Sequence, residues 1–230
     1  DINSRGIQIG GGSGSNFIHA VNNTIITYNN DGNGIEILRS SHNIFEFNNV
    51  NCFGNNPDCL SLLYDNTNNT FRNMYIFSSS LLSKGMLIWD SNHNFTFSDS
   101  IINATSSADL AVSIFATGGE WNFTNVSFTE VNWISGGIGT LNVHWYVEAN
   151  VTELVGTNTV PLTGRTVTAK DIFNTEVWSV ITGSDGKIPR QVVRDFKQTG
   201  TNTKVVYSNY TFKATHSDGR NITLSRNVTK

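Results

Sequence analysis

The chain has 230 residues, with 31 Asn, 25 Thr and 23 Ser against only 8 Ala, 7 Glu and 7 Lys. Asn, Ser and Thr side chains compete with the helical backbone for its hydrogen bonds, so this composition excludes a mostly helical fold. A hydrophobic fraction of 38% with only 3 Pro excludes a disordered chain, and no apolar run reaches the roughly 18 residues of a membrane span. The formal charge of -3 makes no general case for nucleic-acid binding. No charged-then-apolar leader opens the chain, so any signal peptide is expected to be already missing. Residues 1–143 hold four basic and eleven acidic residues, and residues 144–230 hold eleven and seven, giving -7 and +4. That asymmetry predicts two domains and a polarity suited to head-to-tail association.

In chain order, the first predicted element is a short alternating strand after a glycine, Gly6-Ile-Gln-Ile. The same pattern returns at Gly34-Ile-Glu-Ile and Gly85-Met-Leu-Ile. Each is followed by a polar corner and a second short strand (Ile44 to Phe47, Phe95 to Phe97), then another corner and a third strand. Three apolar series repeat every 26 residues: Phe45, Phe71, Phe97, Phe123; then Val50, Ile76, Ile102, Phe128; then Leu60, Met86, Val112, Ile138, with Leu62, Ile88 and Ile114 beside it. Three strands and three corners per period describe one coil of a parallel β-helix, in which residues one period apart touch across roughly 4.8 Å. About five coils are expected between Gly6 and Leu141, with a two-residue insertion between Phe17 and Phe45. Asn suits the corners because it tolerates left-handed backbone and bonds nearby main chain; Asn73, Asp99 and Asn125 are placed to form such a column.

From His144 the texture changes to longer alternating runs: Trp145–Val151, Arg165–Ala169, Val177–Ile181, Gln191–Phe196, Lys204–Tyr207, Tyr210–Ala214 and Ile222–Val228. Turn signals such as Gly183-Ser-Asp-Gly separate them, and residues 144–230 read as a small antiparallel sandwich with Trp145 and Trp178 in its core. The fold class is therefore all-β, a parallel β-helix over 1–143 followed by an Ig-like β-sandwich over 144–230.

Two runs, GIEILRSSHNIFEFNNV and GMLIWDSNHNFTFSDSII, resemble the right-handed parallel β-helix repeat proteins of microbial, especially archaeal, cell surfaces. The second part resembles the carboxypeptidase-regulatory-like or Ig-like modules of surface proteins. The first resemblance implies fold more than function, since such repeats occur in carbohydrate-active enzymes, adhesins and structural proteins. The second implies a spacer or contact surface.

Catalytic chemistry finds few candidates. Glycoside hydrolysis needs two carboxylates on one face, and Asp65 with Asp90 is the best-spaced pair, though turn-forming Asp is the commoner reading. His42 and His93 sit at related corners nearly two coils apart, and the basic residues before 143 are scattered, which disfavours a lyase base. Asp31-Gly-Asn-Gly resembles a fragment of a calcium loop but lacks the remaining ligands, and Gly10-Gly-Gly-Ser-Gly-Ser lacks the Lys and helix of a phosphate loop. No catalytic residue, metal or cofactor is assigned. Cys52 and Cys59 are close enough in sequence to form a disulfide across a corner, although Cys52 also reads as an inward core residue.

Asn-x-Ser/Thr occurs ten times, at Asn22, Asn68, Asn94, Asn103, Asn122, Asn125, Asn150, Asn209, Asn221 and Asn227, against about 6.5 expected from the composition. Strand alternation sends Asn68, Asn94, Asn103 and Asn122 outward, whereas Asn125 shares the parity of inward Phe123. Asn68, Asn94, Asn103, Asn122, Asn150, Asn209, Asn221 and Asn227 are the expected glycan carriers.

Only Asp1 to Arg5 precede the first strand, so either the chain is a piece of a longer protein or a neighbour covers that end of the β-helix. The expectation is a secreted, N-glycosylated, non-enzymatic structural protein that associates with copies of itself, basic sandwich on acidic β-helix, into an extracellular filament, sheath or surface layer. A carbohydrate-binding or carbohydrate-processing β-helix, which exposed aromatics along one face would favour, and an adhesin fragment are the alternatives.

Overall fold

The 26-residue period becomes a coil with three faces, each face built by stacking one strand per coil. The computed structural model describes residues 5–12, 14–28, 32–79, 84–89, 93–105, 110–112 (backbone only), 118–128, 130–133, 138–201 and 204–228. The first face is a parallel sheet stacked in the order β1 (Ile7–Gly10), β4 (Ile35–Leu38), β7 (Asp58–Leu63), β10 (Lys84–Trp89), β12 (Leu110–Val112) and β14 (Val131–Trp133). The second stacks β2 (His19–Val21), β5 (Ile44–Glu46), β8 (Asn66–Arg72), the start of β11 (His93–Ala104), β13 (Glu120–Ser127) and β15 (Thr140–Val147). The third holds β3 (Thr24–Thr27), β6 (Asn49–Cys52), β9 (Tyr75–Ser78) and the end of β11, which runs across both faces. Four coils reach all three faces, and β12 to β15 extend the stack. This is a β-solenoid.

The aromatic series is in register: Phe45 pairs with Phe71, Phe71 with Phe97, and Phe97 with Phe123. All four rings are fully buried, with successive centroids 5.0, 4.9 and 5.4 Å apart. Val50, Ile76 and Ile102 stack likewise on the third face. Phe128 does not continue that series; it follows the end of β13 and sets its ring edge-on to Phe123 at 5.6 Å.

The first face departs from the period. Met86 pairs with Leu60 as expected, but then with Leu110 rather than Val112, and Leu110 pairs with Val131. Ile88 pairs with Val112, which pairs with Trp133. The later coils are thus shorter, and Ile138 is exposed rather than stacked; Ile114 lies outside the described residues. A slip of two residues is tolerated because side chains alternate with period 2, so the same face stays inward. The expected insertion also moves. Ala20, not Phe17, pairs with Phe45, while Ile7 pairs with Ile35, 28 residues on. The extra residues therefore sit in the glycine-rich corner between β1 and β2. Phe17 is 78% exposed in left-handed backbone, φ 64°.

Glycine precedes β4 because nothing larger fits: a Cβ at Gly34 would collide with the Val50 side chain and the Cys59 carbonyl. Corners are closed by buried amides. Asn69 Oδ1 accepts from the Asn43 backbone N–H and from Asn43 Nδ2, each at 3.0 Å, and Asn69 Nδ2 donates to the Ser40 carbonyl at 3.0 Å. Asn43 Oδ1 accepts from the Ile18 N–H at 2.9 Å, and Asn48 and Asn66 serve the same purpose at other corners.

The chain divides into two compact units, 1–143 with 198–204, and 144–197 with 205–230. The second contains the hairpin β16 (Thr152–Val155) to β17 (Asn158–Pro161), missing from the sequence expectation. It also contains the antiparallel sheet ordered β19 (Glu176–Ile181), β18 (Thr166–Lys170), β22 (Tyr210–Thr215), β23 (Asn221–Arg226), and the pair β20 (Gln191–Thr199) with β21 (Val205–Val206). These antiparallel sheets are consistent with a sandwich. Val167, Ala169, Val193, Phe196 and Tyr210 are buried. The Tyr210 hydroxyl donates to the Arg194 carbonyl at 2.7 Å. Trp145 and Trp178 are half-buried rather than central; the Trp145 indole N–H donates to Asp195 Oδ2 at 3.1 Å, and Trp178 packs against Phe212.

Candidate functional surfaces

Carboxylates in the solenoid are engaged by basic or amide groups. Glu36, 2% exposed, accepts from Arg5 Nε at 2.8 Å, Gln8 Nε2 at 3.1 Å and Asn33 Nδ2 at 2.9 Å. Glu46 is held by Arg72 and by His19 at 3.3 Å, and Asp58 pairs with Lys84 at 3.3 Å. Asp65 is exposed; Asp90 and Asp31 lie outside the described residues. The two histidines part company. His42 is exposed, stacks on Phe17 at 5.2 Å and meets Asn68 Nδ2 at 3.2 Å. His93 is fully buried, in register with Asn66, its Nε2 3.1 Å from the Trp89 carbonyl. They therefore occupy different columns. Among the described residues no group of three or more His, Cys, Asp or Glu is arranged to hold a metal ion. Cys52 and Cys59 form a disulfide with Cα atoms 5.8 Å apart, both fully buried.

Two outward surfaces of the solenoid differ sharply in chemistry. The second face carries a concavity of about 440 Å³ lined by Asn68, Thr70, Asn94, Thr96, Glu120 and Asn122. Thr70, Thr96 and Asn122 are in register on successive coils. Asn94 Oδ1 accepts the Glu120 N–H at 2.7 Å, and Asn122 Oδ1 accepts from Asn142 Nδ2 at 3.2 Å. Both leave the Nδ2 atom, where an N-linked sugar attaches, outside those bonds. A surface of amides and hydroxyls matches the hydroxyls of a polar ligand.

The third face is apolar and uncharged. Ile26, Tyr28, Phe53, Tyr75 and Ile101 are each more than a third exposed, and half-buried Phe77 lies among them. Tyr28 stacks on Phe53 at 5.4 Å with planes 19° apart, and Phe53 meets Phe77 edge-on at 6.2 Å. Sequence reasoning missed this stripe, because Tyr28 and Phe53 follow their strands and carry no repeat signal.

Of the sequon asparagines, Asn68, Asn94, Asn103, Asn150, Asn209, Asn221 and Asn227 are exposed and Asn122 is half-buried. Asn125 is exposed as well, against its parity. Its backbone is left-handed (φ 55°), which changes the phase before buried Val126. No protein-family model, no curated protein and no solved structure matches the chain. No helix is long and apolar enough to cross a membrane.

Proposed function

We propose that the chain is a secreted, N-glycosylated structural protein of the cell surface that associates with its own copies into a filament, sheath or layer. The observation that carries this reading is the edge strand β19. It borders one side of a four-stranded sheet, with Val177 and Ile181 41% and 62% exposed. Such an edge is a template for another strand. The opposite edge, β23, begins at the sequon Asn221 and is guarded if that residue carries a glycan, whereas β19 contains no sequon. Charge supports a heterologous contact: with Lys204 counted in the first unit, the two units carry -6 and +3. Electron microscopy of the native chain tests the proposal. Polymers are expected, and a monomer at every concentration would overturn it.

A second reading, carbohydrate binding, is favoured by the amide-and-hydroxyl concavity of the second face. The stacked rings of the third face do not add to it, since Tyr28 and Phe53 cover each other's faces and a pyranose packs on a ring face. A glycan array with Thr96→Ala as control separates the readings. Glycans attached to Asn68, Asn94 or Asn122 would themselves fill the concavity and exclude a free ligand.

A further inference from the structure

Resting on the glycoprotein reading, we infer that an N-linked glycan on Asn103 packs its first sugar against the aromatic stripe of the third face. Asn103 opens the sequon Asn103-Ala-Thr105 and is exposed. In the stack it is register-paired with Phe77, which pairs with Asn51 and then Ile26. Paired residues on adjacent strands lie about 4.8 Å apart, the reach of a first sugar linked to Nδ2. The stripe ends in a way that leaves this place open. Tyr28 and Phe53 stack, but Phe77 is turned 61° from Phe53, and the next coil holds Asn103 where another ring would continue the series. Tyr75 and Ile101, themselves register partners, flank the position.

The occupant follows from the chemistry. No charged side chain stands among Thr24, Ile26, Asn49, Asn51, Tyr75, Phe77, Ile101 and Asn103, so nothing there recognises an ionic partner. One face of a pyranose presents axial C–H groups, and these match the electron-rich face of a phenyl ring. The Asn51 side chain, which donates to Asn49 Oδ1 at 2.7 Å, adds an amide at the margin of the stripe. A covered stripe is also the state expected of a soluble surface, because contiguous exposed apolar area otherwise promotes association.

Site-by-site glycopeptide mapping of the native protein comes first. Occupancy at Asn103 is expected. Occupied Asn68 or Asn94 with bare Asn103 overturns this inference and leaves the glycoprotein reading standing, whereas a wholly unmodified chain overturns both. Thermal unfolding in a glycosylating host then tests the contact. Thr105→Ala, which keeps Asn103 but removes the sequon, is expected to lower Tm by about 2–4 °C in the parent chain. It should change Tm little when Phe77 is already Thr, a substitution that keeps β propensity. Should the two losses simply add, the glycan does not rest on the ring and the inference fails.

Discussion

Asparagine does two different jobs in the solenoid, and the backbone decides which. At one corner Asn22, Phe47, Asn73, Asp99 and Asn125 form a column in left-handed backbone, with φ between 50° and 56°. Asn73, Asp99 and Asn125 suit it because their short polar side chains tolerate that conformation, and Asn125 Nδ2 donates to Asp99 Oδ1 at 2.8 Å. Phe47 does not suit it, and its ring is 55% exposed. Phe47→Asn is therefore expected to stabilise the solenoid by about 1 kcal/mol, read as a higher urea midpoint. At the buried corners Asn serves as a hydrogen-bond plug. Asn69→Ala removes the acceptor of two Asn43 donors and strands the Ser40 carbonyl, so a loss of about 3 kcal/mol is expected by the same measurement. Tyr210 adds a pH dependence. Burial, helped by Asp171 and Asp195, pushes its hydroxyl up to about 12 from the ordinary 10.0. A raised acid is ionised more easily when unfolded, so its contribution is intact below pH 10 and is lost between pH 10 and 12. Denaturation midpoints should fall across that window, and Tyr210→Phe should flatten the fall.

Among the elements, strand periodicity made the phenylalanine stack legible in sequence, since four rings at one spacing occur on the same side of successive strands. Phe71 lies between Phe45 and Phe97 in that stack, so Phe71→Ala is expected to cost about 3–5 kcal/mol, while Phe17→Ala, at an exposed corner, stays within about 0.5 kcal/mol. Comparing the two midpoints checks the assignment of both rings. The first-face series was only half legible. Leu60 and Met86 obey the period, but Leu110 replaces Val112 because a two-residue shortening of a corner preserves inward parity. The hairpin β16–β17 escaped notice because it is half-exposed throughout and lacks the clean alternation of β18 or β22. At this scale β19 also carries its own prediction. Val177→Lys with Ile181→Lys places charge on the open edge and should shift native polymers toward smaller species in sedimentation velocity, leaving the unfolding midpoint within about 0.5 kcal/mol of the parent.

Across the whole molecule, what was readable beforehand was whatever repeats: the all-β class, the coil, and the inward side of each strand, because a fixed spacing and a period of two are properties of the chain alone. Surfaces were not readable in that way. Tyr28, Phe53 and Phe77 are far apart in sequence and share no spacing, yet stacking the coils lays them in one apolar stripe beside Asn103. His42 and His93 look equivalent in their matching Ser-x-His-Asn and Ser-Asn-His-Asn surroundings. A bulge at Asn68 shifts the register by one and puts one ring in solvent and the other in the core. Local pattern settles which side of a strand faces inward, but which side chains become neighbours depends on corner lengths and bulges, and these are set by packing between coils.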